Sequence, residues 1–220
     1  MHKAITVLFE DDYFVVFEKP SGTLTIPTPK GEKNTLDRVV NEELSKECGY
    51  HLHPCHRLDR ETSGAIIFAK GKKNQQLMMD VFRHKGVKKK YVALVQGRPR
   101  HSAGELKSEI KDFNQNKFRR ESKGKLAVTR YKVLELRRIY SIVEVFPLTG
   151  RTNQIRIQMA EIGHPLLGER QYAFGKDYAL KFRRVALHAS ELEWLHPVTH
   201  KPVKIVSPLP WDMEQFIERN

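Results

Sequence analysis

The sequence predicts an α+β fold, with a mixed and mostly antiparallel sheet flanked by helices. Three observations favour this class: strand-like and helix-like segments alternate along the 220 residues, two long strand-like segments follow each other closely enough to pair antiparallel, and no repeat period is present. Because a chain of this length buries a substantial core, we predict one domain over residues 1–220.

The first half of the chain contains three predicted strands and two predicted helices. Apolar runs bounded by turn residues predict strands over residues 5–9, 14–17 and 65–70. Thr35 is the expected N-cap of the first helix, which ends near Gly49. Apolar side chains recur at helical spacing, with Leu36, Val39, Val40 and Leu44 in the first helix and Leu77, Met78, Val81 and Phe82 in the second.

Three further strands are predicted over residues 91–96, 126–136 and 140–146, and the last two are expected to pair. The segment 98–125 is polar and weakly periodic, which predicts an insertion or extended loop. Thr152 is the expected N-cap of a helix with Ile155, Met159 and Ile162 on its apolar face. Seven cations of the predicted loop either contact RNA phosphates or form a solvated face: Lys107, Lys111, Lys117, Arg119, Arg120, Lys123 and Lys125.

The charge balance predicts a polyanionic partner. The chain has 39 Lys and Arg against 26 Asp and Glu, a formal charge of +13 and a sequence pI near 9.7. Nucleic acid is the first candidate, because cationic surfaces attract phosphate backbones, although a basic protein without such a partner has the same composition. No signal-peptide core or membrane-length apolar run is present, and two cysteines suit a reducing compartment, so we expect a cytoplasmic protein. A monomer is the default expectation.

Residues 56–64, which read HRLDRETSG, are the most informative segment for function. They place Asp59 between Arg57 and Arg60, directly before an apolar strand. Neighbouring guanidinium groups are expected to lower the pKa of Asp59 and keep it ionised, as a nucleophile or base requires. A structural ion pair at a turn fits the same charges, so these residues alone leave both interpretations open.

A metal site is the rival interpretation of the same region. Cys48, His51, His53, Cys55 and His56 fall within nine residues, and thiolate and imidazole groups are zinc ligands. Their spacing matches none of the usual paired-ligand patterns, and no second pair of ligands follows. We therefore predict no metal site here.

The segment with Asp59, together with four other motifs in the same order, resembles the RluA-like family of RNA pseudouridine synthases. Any one of these matches alone is weak, whereas five in order cover nearly the whole chain. The other four are EKPSG at 18–22, KKYVALV at 89–95, LTGRTNQIRI at 148–157 with GHPLLG at 163–168, and ALHA at 186–189 followed by His196-Pro197.

The resemblance implies a fold and a set of site residues. The fold is a bent sheet in two lobes around a central basic cleft, without the N-terminal accessory RNA-binding domain that relatives often carry. Asp59 is the implied catalytic carboxylate, Tyr91 the ring that stacks on the target base, and Arg151 the ion-pair partner of the carboxylate. The implied substrate-binding residues are Arg57, Arg60, Ile155 and Leu187.

The resemblance also implies the reaction, in which a uridine of structured rRNA or tRNA is isomerised to pseudouridine without cofactor or metal. Two other classes stay open: a catalytically inactive RNA-binding protein of the same fold, and a metal-dependent hydrolase that uses the His and Cys cluster. The chain departs from the family pattern at three positions, which affect positioning and substrate choice. Asn153 and Gln158 stand where His is usual, and Glu169 stands where Asp is common.

Overall fold

The structure is a computed structural model that describes residues 5–29, 31–43, 49–111, 124–173 and 180–220. The chain divides into two compact units. The first unit comprises the chain up to Lys89 together with His188–Glu218, and the second comprises Lys90–Leu187 with the last two residues. In chain order the elements are β1 (Thr6–Glu10), β2 (Phe14–Lys19), α1 (Leu36–Glu43), β3 (Leu52–Pro54), β4 (Ser63–Lys70), α2 (Lys72–Arg83), β5 (Lys88–Gln96), β6 (Ala103–Ile110), β7 (Lys125–Leu136), β8 (Tyr140–Pro147), α3 (Gln154–Glu161), β9 (Leu187–Leu195), β10 (Pro202–Val206) and α4 (Trp211–Arg219).

The sheet of the first unit is built on β2 and β4, which are buried on both faces. Phe14–Phe17 and Ser63–Ala69 are continuously buried, as in strands that have side chains packed against both of their faces. β2 pairs antiparallel with β1 and β4, and β10 pairs antiparallel with β9. The start of β9 runs parallel to the start of β4. The predicted class, a mixed and mostly antiparallel sheet with helices, is therefore confirmed.

The first helix begins where the sequence predicts, and the apolar residues predicted for the second helix lie in α2, whereas α4 was not predicted. The Oγ1 atom of Thr35 accepts a backbone N–H three residues later, at 3.4 Å, and so caps α1. Val40 on the apolar face of α1 is fully buried. In α2, Met78 is fully buried in a core that includes side chains of β2, β4 and β9. Leu44, which the sequence places on the same face of α1 as Val40, lies outside the described residues.

The second unit contains a four-stranded antiparallel sheet in the order β5-β8-β7-β6. The predicted pairing of the two long strands is confirmed, since β7 and β8 form a hairpin whose turn covers residues 137–139. α3 packs against β6, β7 and β8. The helix and the sheet together provide the core of this unit, with Val143, Val145 and Met159 fully buried.

The prediction of a loop over residues 98–125 is wrong for Ala103–Ile110, which forms β6 on β7. Glu105, Lys107 and Glu109 are exposed and alternate with less exposed residues, as in a half-covered strand. These residues have low strand propensity, and pairing with β7 supplies the order that propensity does not. Among the seven cations predicted for the loop, Lys117, Arg119, Arg120 and Lys123 lie outside the described residues.

Thr152 is not the N-cap of α3, contrary to the prediction. The N-cap is Asn153, which has φ 55° in the left-handed region, a conformation that Asn adopts more readily than most residues. A turn after β8 moves the helix start one residue along the chain, and the side chain of Gln154 accepts the backbone N–H of Arg151 at 3.0 Å. Of the predicted apolar face, Ile155 and Met159 are buried, whereas Ile162 follows the helix and is exposed.

A buried ion pair fixes α3 to the segment that follows it. Glu169 accepts hydrogen bonds from Arg156 at 2.7 and 2.9 Å, and its carboxylate also accepts the backbone N–H groups of Gln171 and Tyr172. Burial acts to raise the pKa of Glu169, but the Arg156 hydrogen bonds and charge and the two N–H groups outweigh it, so the pKa lies below its usual value. Asn153 completes the network by contacting both Arg156 and the Tyr172 hydroxyl.

We expect Glu169→Gln to destabilise the protein by about 3 kcal/mol at neutral pH, because it leaves the largely buried Arg156 without its counter-ion. A lowered folded-state pKa gives stability that is present above the unfolded pKa and is lost as pH falls through the folded value. The difference in unfolding free energy between wild type and variant should therefore narrow below about pH 4.

Chemical denaturation followed by circular dichroism from pH 3 to pH 8 measures this difference. The matched control is Glu161→Gln, which changes an exposed carboxylate of the same helix. Equal stability of Glu169→Gln and Glu161→Gln at pH 7 would contradict the prediction.

Candidate active site

The Asp59 loop, defined as residues 56–62, connects β3 to β4 in the first unit. The side chain of Asp59 is half-buried, whereas Arg57 and Arg60 are exposed. A guanidinium nitrogen of Arg60 lies 3.5 Å from a carboxylate oxygen of Glu32, which places the charge of this arginine near the start of α1. The structure therefore brings these three predicted site residues together in one surface loop.

The backbone of the Asp59 loop is fixed by residues 19–25. The ammonium group of Lys19 donates to the Arg60 carbonyl at 3.2 Å, and the N–H of Gly22 donates to the same oxygen at 2.8 Å. The Ser21 hydroxyl donates to the carbonyl of Glu61 at 2.7 Å. Each of these contacts ends on a main-chain atom of the loop, so these contacts do not depend on which side chains residues 60 and 61 carry.

A second set of contacts fixes the loop near its middle. The hydroxyl of Thr25 bonds both the N–H and the carbonyl of Leu58, each at 3.1 Å, and all these groups are buried. The carbonyl of Asp59 accepts the N–H of Thr62 at 3.1 Å, which closes a tight turn. Residues on both sides of Asp59 are thus held, while its carboxylate keeps partial access to solvent.

His56 and Cys55, which precede Asp59, are accounted for by structural roles. His56 Nε2 accepts the N–H of Ile67 at 3.0 Å, and burial, with the charge of Lys89, lowers the pKa of His56 to about 3. Burial raises the pKa of the Cys55 thiol to about 12, which keeps it protonated and a poor metal ligand. Among the residues that the structure describes, no three His, Cys, Asp or Glu side chains form a group that could hold a metal ion. Cys48 is not among those residues.

Tyr91 and Arg151 lie at the same end of the sheet in the second unit. Tyr91 is near the start of β5 and pairs with Val145, close to the end of β8. Arg151 follows β8 after a short turn, and its Nε donates to the main-chain carbonyl of Leu126 at 3.3 Å. Both predicted residues therefore lie at the same end of the strands in this unit, with Tyr91 buried and Arg151 half-buried.

The backbone at Arg151 is fixed by the buried amide of Gln154. Its Oε1 accepts the Thr149 hydroxyl at 2.7 Å and the Arg151 N–H at 3.0 Å. Its Nε2 donates to the Val128 carbonyl at 3.0 Å and to the Thr129 hydroxyl at 2.8 Å. These contacts use the full hydrogen-bonding capacity of the amide, and they connect the Arg151 turn to β7.

The two remaining predicted site residues are buried apolar side chains of the second unit. Ile155 is in the first turn of α3, four residues after Arg151. Leu187 begins β9, and its carbonyl accepts a hydrogen bond from Arg184 at 3.2 Å. Their burial fits a packing role as well as an apolar wall for a base.

Two positioning residues have no role in the sequence prediction. Lys19 lies inside the matched EKPSG motif, and its position before a Pro and a Gly marks a turn but not a buried ammonium group. Gln154 lies inside the matched LTGRTNQIRI motif, but its amide bonds the Arg151 N–H, which precedes the helix, and groups of β7. The burial of Lys19 and the contacts of Gln154 both required the tertiary structure.

Comparisons with known proteins identify the family. A family model described as RNA pseudouridylate synthase matches residues 13–161. The uncharacterized RNA pseudouridine synthase YhcT of Bacillus subtilis is 35% identical over 218 residues, which cover 96% of this chain and 71% of that protein. The dual-specificity RNA pseudouridine synthase RluA of Pasteurella multocida is 35% identical over 210 residues, 93% of both chains.

A solved structure gives the same result for the fold. Human RNA Pseudouridylate Synthase Domain Containing 4 has a TM-score of 0.81 and 26% identity, covering 97% of this chain and 92% of that one. In the described residues, no helix is long and apolar enough to cross a membrane. The chain belongs to the RluA-like family of RNA pseudouridine synthases and is an isomerase that acts on RNA.

Proposed function

We propose that Asp59 is the catalytic carboxylate of this pseudouridine synthase. The observation that carries the proposal is the Asp59 loop, in which neighbouring backbone groups are held by Lys19, Ser21 and Thr25 while Asp59 itself is only partly buried. A group that reacts with a bound nucleotide needs a fixed position and access to the substrate.

The isomerisation breaks the bond between uracil N1 and ribose C1′, turns the base, and joins C5 to C1′. The reaction involves no net change of redox state, so the proposed mechanism requires no cofactor or metal. An ionised Asp59 serves as a nucleophile toward C1′ or C6, or as a base toward the C2′ proton. In each case the carboxylate acts in its charged form.

The other site residues receive the roles that the family resemblance gives them. Arg151 is proposed as the counter-ion of the carboxylate, and its fixed backbone turn supports that role because a guanidinium orients a carboxylate best from a rigid base. Tyr91 is proposed to stack on uracil and to assist transfer of the C5 proton. The apolar side chains Ile155 and Leu187 are proposed to line the base-binding site.

The target uridine must leave its stack to react, because base edges and sugars within a helix are not accessible to a carboxylate. We propose that Arg57 occupies the space that the flipped base leaves, and that Arg60 contacts the RNA backbone. Both side chains are exposed beside Asp59, and a guanidinium can stack on bases as well as bind phosphate.

We propose a structured stem-loop of rRNA or tRNA as the substrate. The Pasteurella relative is named a dual-specificity enzyme, and other relatives are named for the ribosomal large subunit or for tRNA. The charge of +13 suits RNA of either class. We further propose that residues 1–220 act as one catalytic domain, as a monomer and in the cytoplasm, where such RNA is found.

We expect Asp59→Asn to abolish pseudouridine formation and to leave RNA affinity within about threefold of wild type, because the amide keeps the shape but cannot act as nucleophile or base. Tritium release from C5-labelled uridine in unmodified tRNA and rRNA measures the activity, with and without chelator. The matched control is Asp12→Asn, which changes an exposed carboxylate in the turn between β1 and β2.

Turnover of Asp59→Asn close to that of wild type would contradict the role of Asp59. Wild-type RNA binding without tritium release from either RNA would favour an inactive RNA-binding protein. Loss of wild-type activity in chelator would favour metal-dependent chemistry instead.

We expect Gln154→Ala to lower the rate at saturating RNA by about 10-fold to 100-fold, because the turn that presents Arg151 loses its contacts with β7. Four partners of the amide lose their hydrogen bonds, so the unfolding free energy should also fall by at least about 1–3 kcal/mol.

Single-turnover tritium release and urea unfolding test the two effects separately. The control Gln76→Ala changes an exposed amide on α2 and should alter neither. If Gln154→Ala loses stability but keeps the wild-type rate, Gln154 supports the fold and does not position Arg151.

A further inference from the structure

The residue that directly follows the Asp59 loop, Ser63 at the start of β4, is joined to β9 by a hydrogen bond between its buried hydroxyl and the imidazole of His188. Ser63 Oγ lies 3.0 Å from His188 Nδ1, and His188 Nε2 lies 3.1 Å from the main-chain carbonyl of Ser207. His188 is fully buried, and Ser63 and Ser207 are 5% and 2% exposed. The imidazole therefore connects three segments: the start of β4, the start of β9 and the residue after β10.

The hydrogen-bond partners of His188 indicate which of its ring nitrogens carries a proton. The Ser207 carbonyl can only accept, so Nε2 of His188 carries a proton. The neutral ring then has a lone pair at Nδ1, and the Ser63 hydroxyl donates to it. The hydroxyl of Ser207 in turn donates to a carboxylate oxygen of Glu18 at 3.2 Å, which connects this site to β2.

The backbone at Ser63 and Gly64 is constrained as well. Ser63 and Gly64 pair with His188 and Ala189 in the parallel contact between β4 and β9. Gly64 has φ 114°, and a Cβ there would stand 2.3 Å from the Ala189 carbonyl oxygen. Only glycine permits this approach, so the position of Ser63 relative to His188 is set by backbone contact as well as by the side-chain hydrogen bond.

Ser63 and His188 have the donor and acceptor groups of a hydrolase nucleophile and its base, but their burial excludes contact with RNA. Their effect on Asp59 passes along the chain instead. Ser63 follows Thr62 directly, and the Thr62 N–H is the group that closes the turn on the Asp59 carbonyl. A shift of Ser63 toward solvent would therefore open that turn and move the carboxylate.

We infer that His188 and Ser63 are positioning residues for Asp59. This inference deepens the proposed function and rests on it, since it assigns a cause to the position of the catalytic carboxylate. The contacts of residues 19–25 hold the middle of the loop, and the hydrogen bond from Ser63 to His188 holds its C-terminal end. Loss of this bond should reduce the chemical step more than RNA binding, because neither residue faces the substrate.

The test compares Ser63→Ala with Ser63→Cys, a nearly isosteric and weaker donor that retains the packing. Each full-length variant is assayed for single-turnover tritium release at saturating RNA, for RNA dissociation constant and for Tm, using an RNA on which the wild type is active. The matched control is Ser141→Ala, since Ser141 is fully buried and donates to the Gly97 carbonyl at 2.8 Å in the second unit.

We expect Ser63→Ala to lower the single-turnover rate by about tenfold or more with the dissociation constant within about twofold of wild type. The single-turnover rate of Ser63→Cys should lie between the rates of wild type and Ser63→Ala. The Cys variant remains informative if the Ala variant does not fold. Ser141→Ala should lower Tm without changing the rate.

The inference is overturned if Ser63→Ala and Ser63→Cys keep the wild-type rate while Tm falls as in Ser141→Ala. That result, with an active wild type and an inactive Asp59→Asn, leaves the proposed function intact. An inactive wild type on every RNA, or an active Asp59→Asn, would overturn the proposed function itself.

Discussion

The buried ammonium group of Lys19 is the interaction on which the shape of the Asp59 loop depends. A charge removed from water costs several kcal/mol unless hydrogen bonds replace its hydration. Lys19 donates to the carbonyls of Pro20, Thr23 and Arg60 at 2.9, 2.7 and 3.2 Å. Two of these carbonyls belong to its own turn and the third to the Asp59 loop, so the ammonium is satisfied only when turn and loop lie together. Displacing the loop would therefore remove one hydrogen bond of the buried Lys19 ammonium group, and the free-energy cost of that loss opposes the displacement.

The second unit fixes its proposed functional turn with a neutral group. The Gln154 amide makes four hydrogen bonds, to the Arg151 turn on one side and to β7 on the other. A neutral amide holds the same geometry at any pH at which the protein folds, and it puts no competing charge beside the Arg151 guanidinium. The Arg151 side chain donates a hydrogen bond of only moderate length, 3.3 Å, to the main-chain carbonyl of Leu126, whereas the backbone of Arg151 is held by the Gln154 amide at 3.0 Å.

Much of the fold could be predicted from the sequence because burial and local pattern agree in it. β2 and β4 each contain a continuous apolar run, α1 has a Thr cap and an apolar face, and α2 repeats apolar residues at helical spacing. β6 could not be predicted in this way, since charged and small residues form it and its partner β7 supplies the order. The start of α3 lies one residue later than predicted, because the turn after β8 puts Asn153 in the left-handed conformation and the N-cap is made without a side-chain hydrogen bond.

In the candidate site, too, some residues can be found from sequence motifs and others only from the tertiary structure. Motif resemblance points to Asp59, Tyr91 and Arg151 as site residues. The groups that hold the backbone near Asp59 and at Arg151 are Lys19 and Gln154, and Ser63 and His188 are proposed to position Asp59. Their functions depend on burial and on partners up to 125 residues away in the chain, as between Ser63 and His188. Residue spacing carries no information on such contacts. These residues are recognised only in the structure, where each is a buried polar side chain and its hydrogen-bond partners can be identified.

The three departures from the family pattern have structural explanations that separate them from substrate choice. Asn153 and Glu169 belong to one network, because both bond Arg156 and both contact Tyr172. The two departures therefore act on the same arginine, with Glu169 supplying its counter-ion and Asn153 a neutral acceptor. Gln158 is separate: its amide nitrogen donates to the Ala127 carbonyl at 3.1 Å and the Ser108 hydroxyl at 3.2 Å, which joins α3 to β6 and β7. All three side chains are thus engaged by groups of their own unit, so their direct effect is on the stability of α3 and its turn. Selection among RNA targets must then depend on residues that face the nucleic acid.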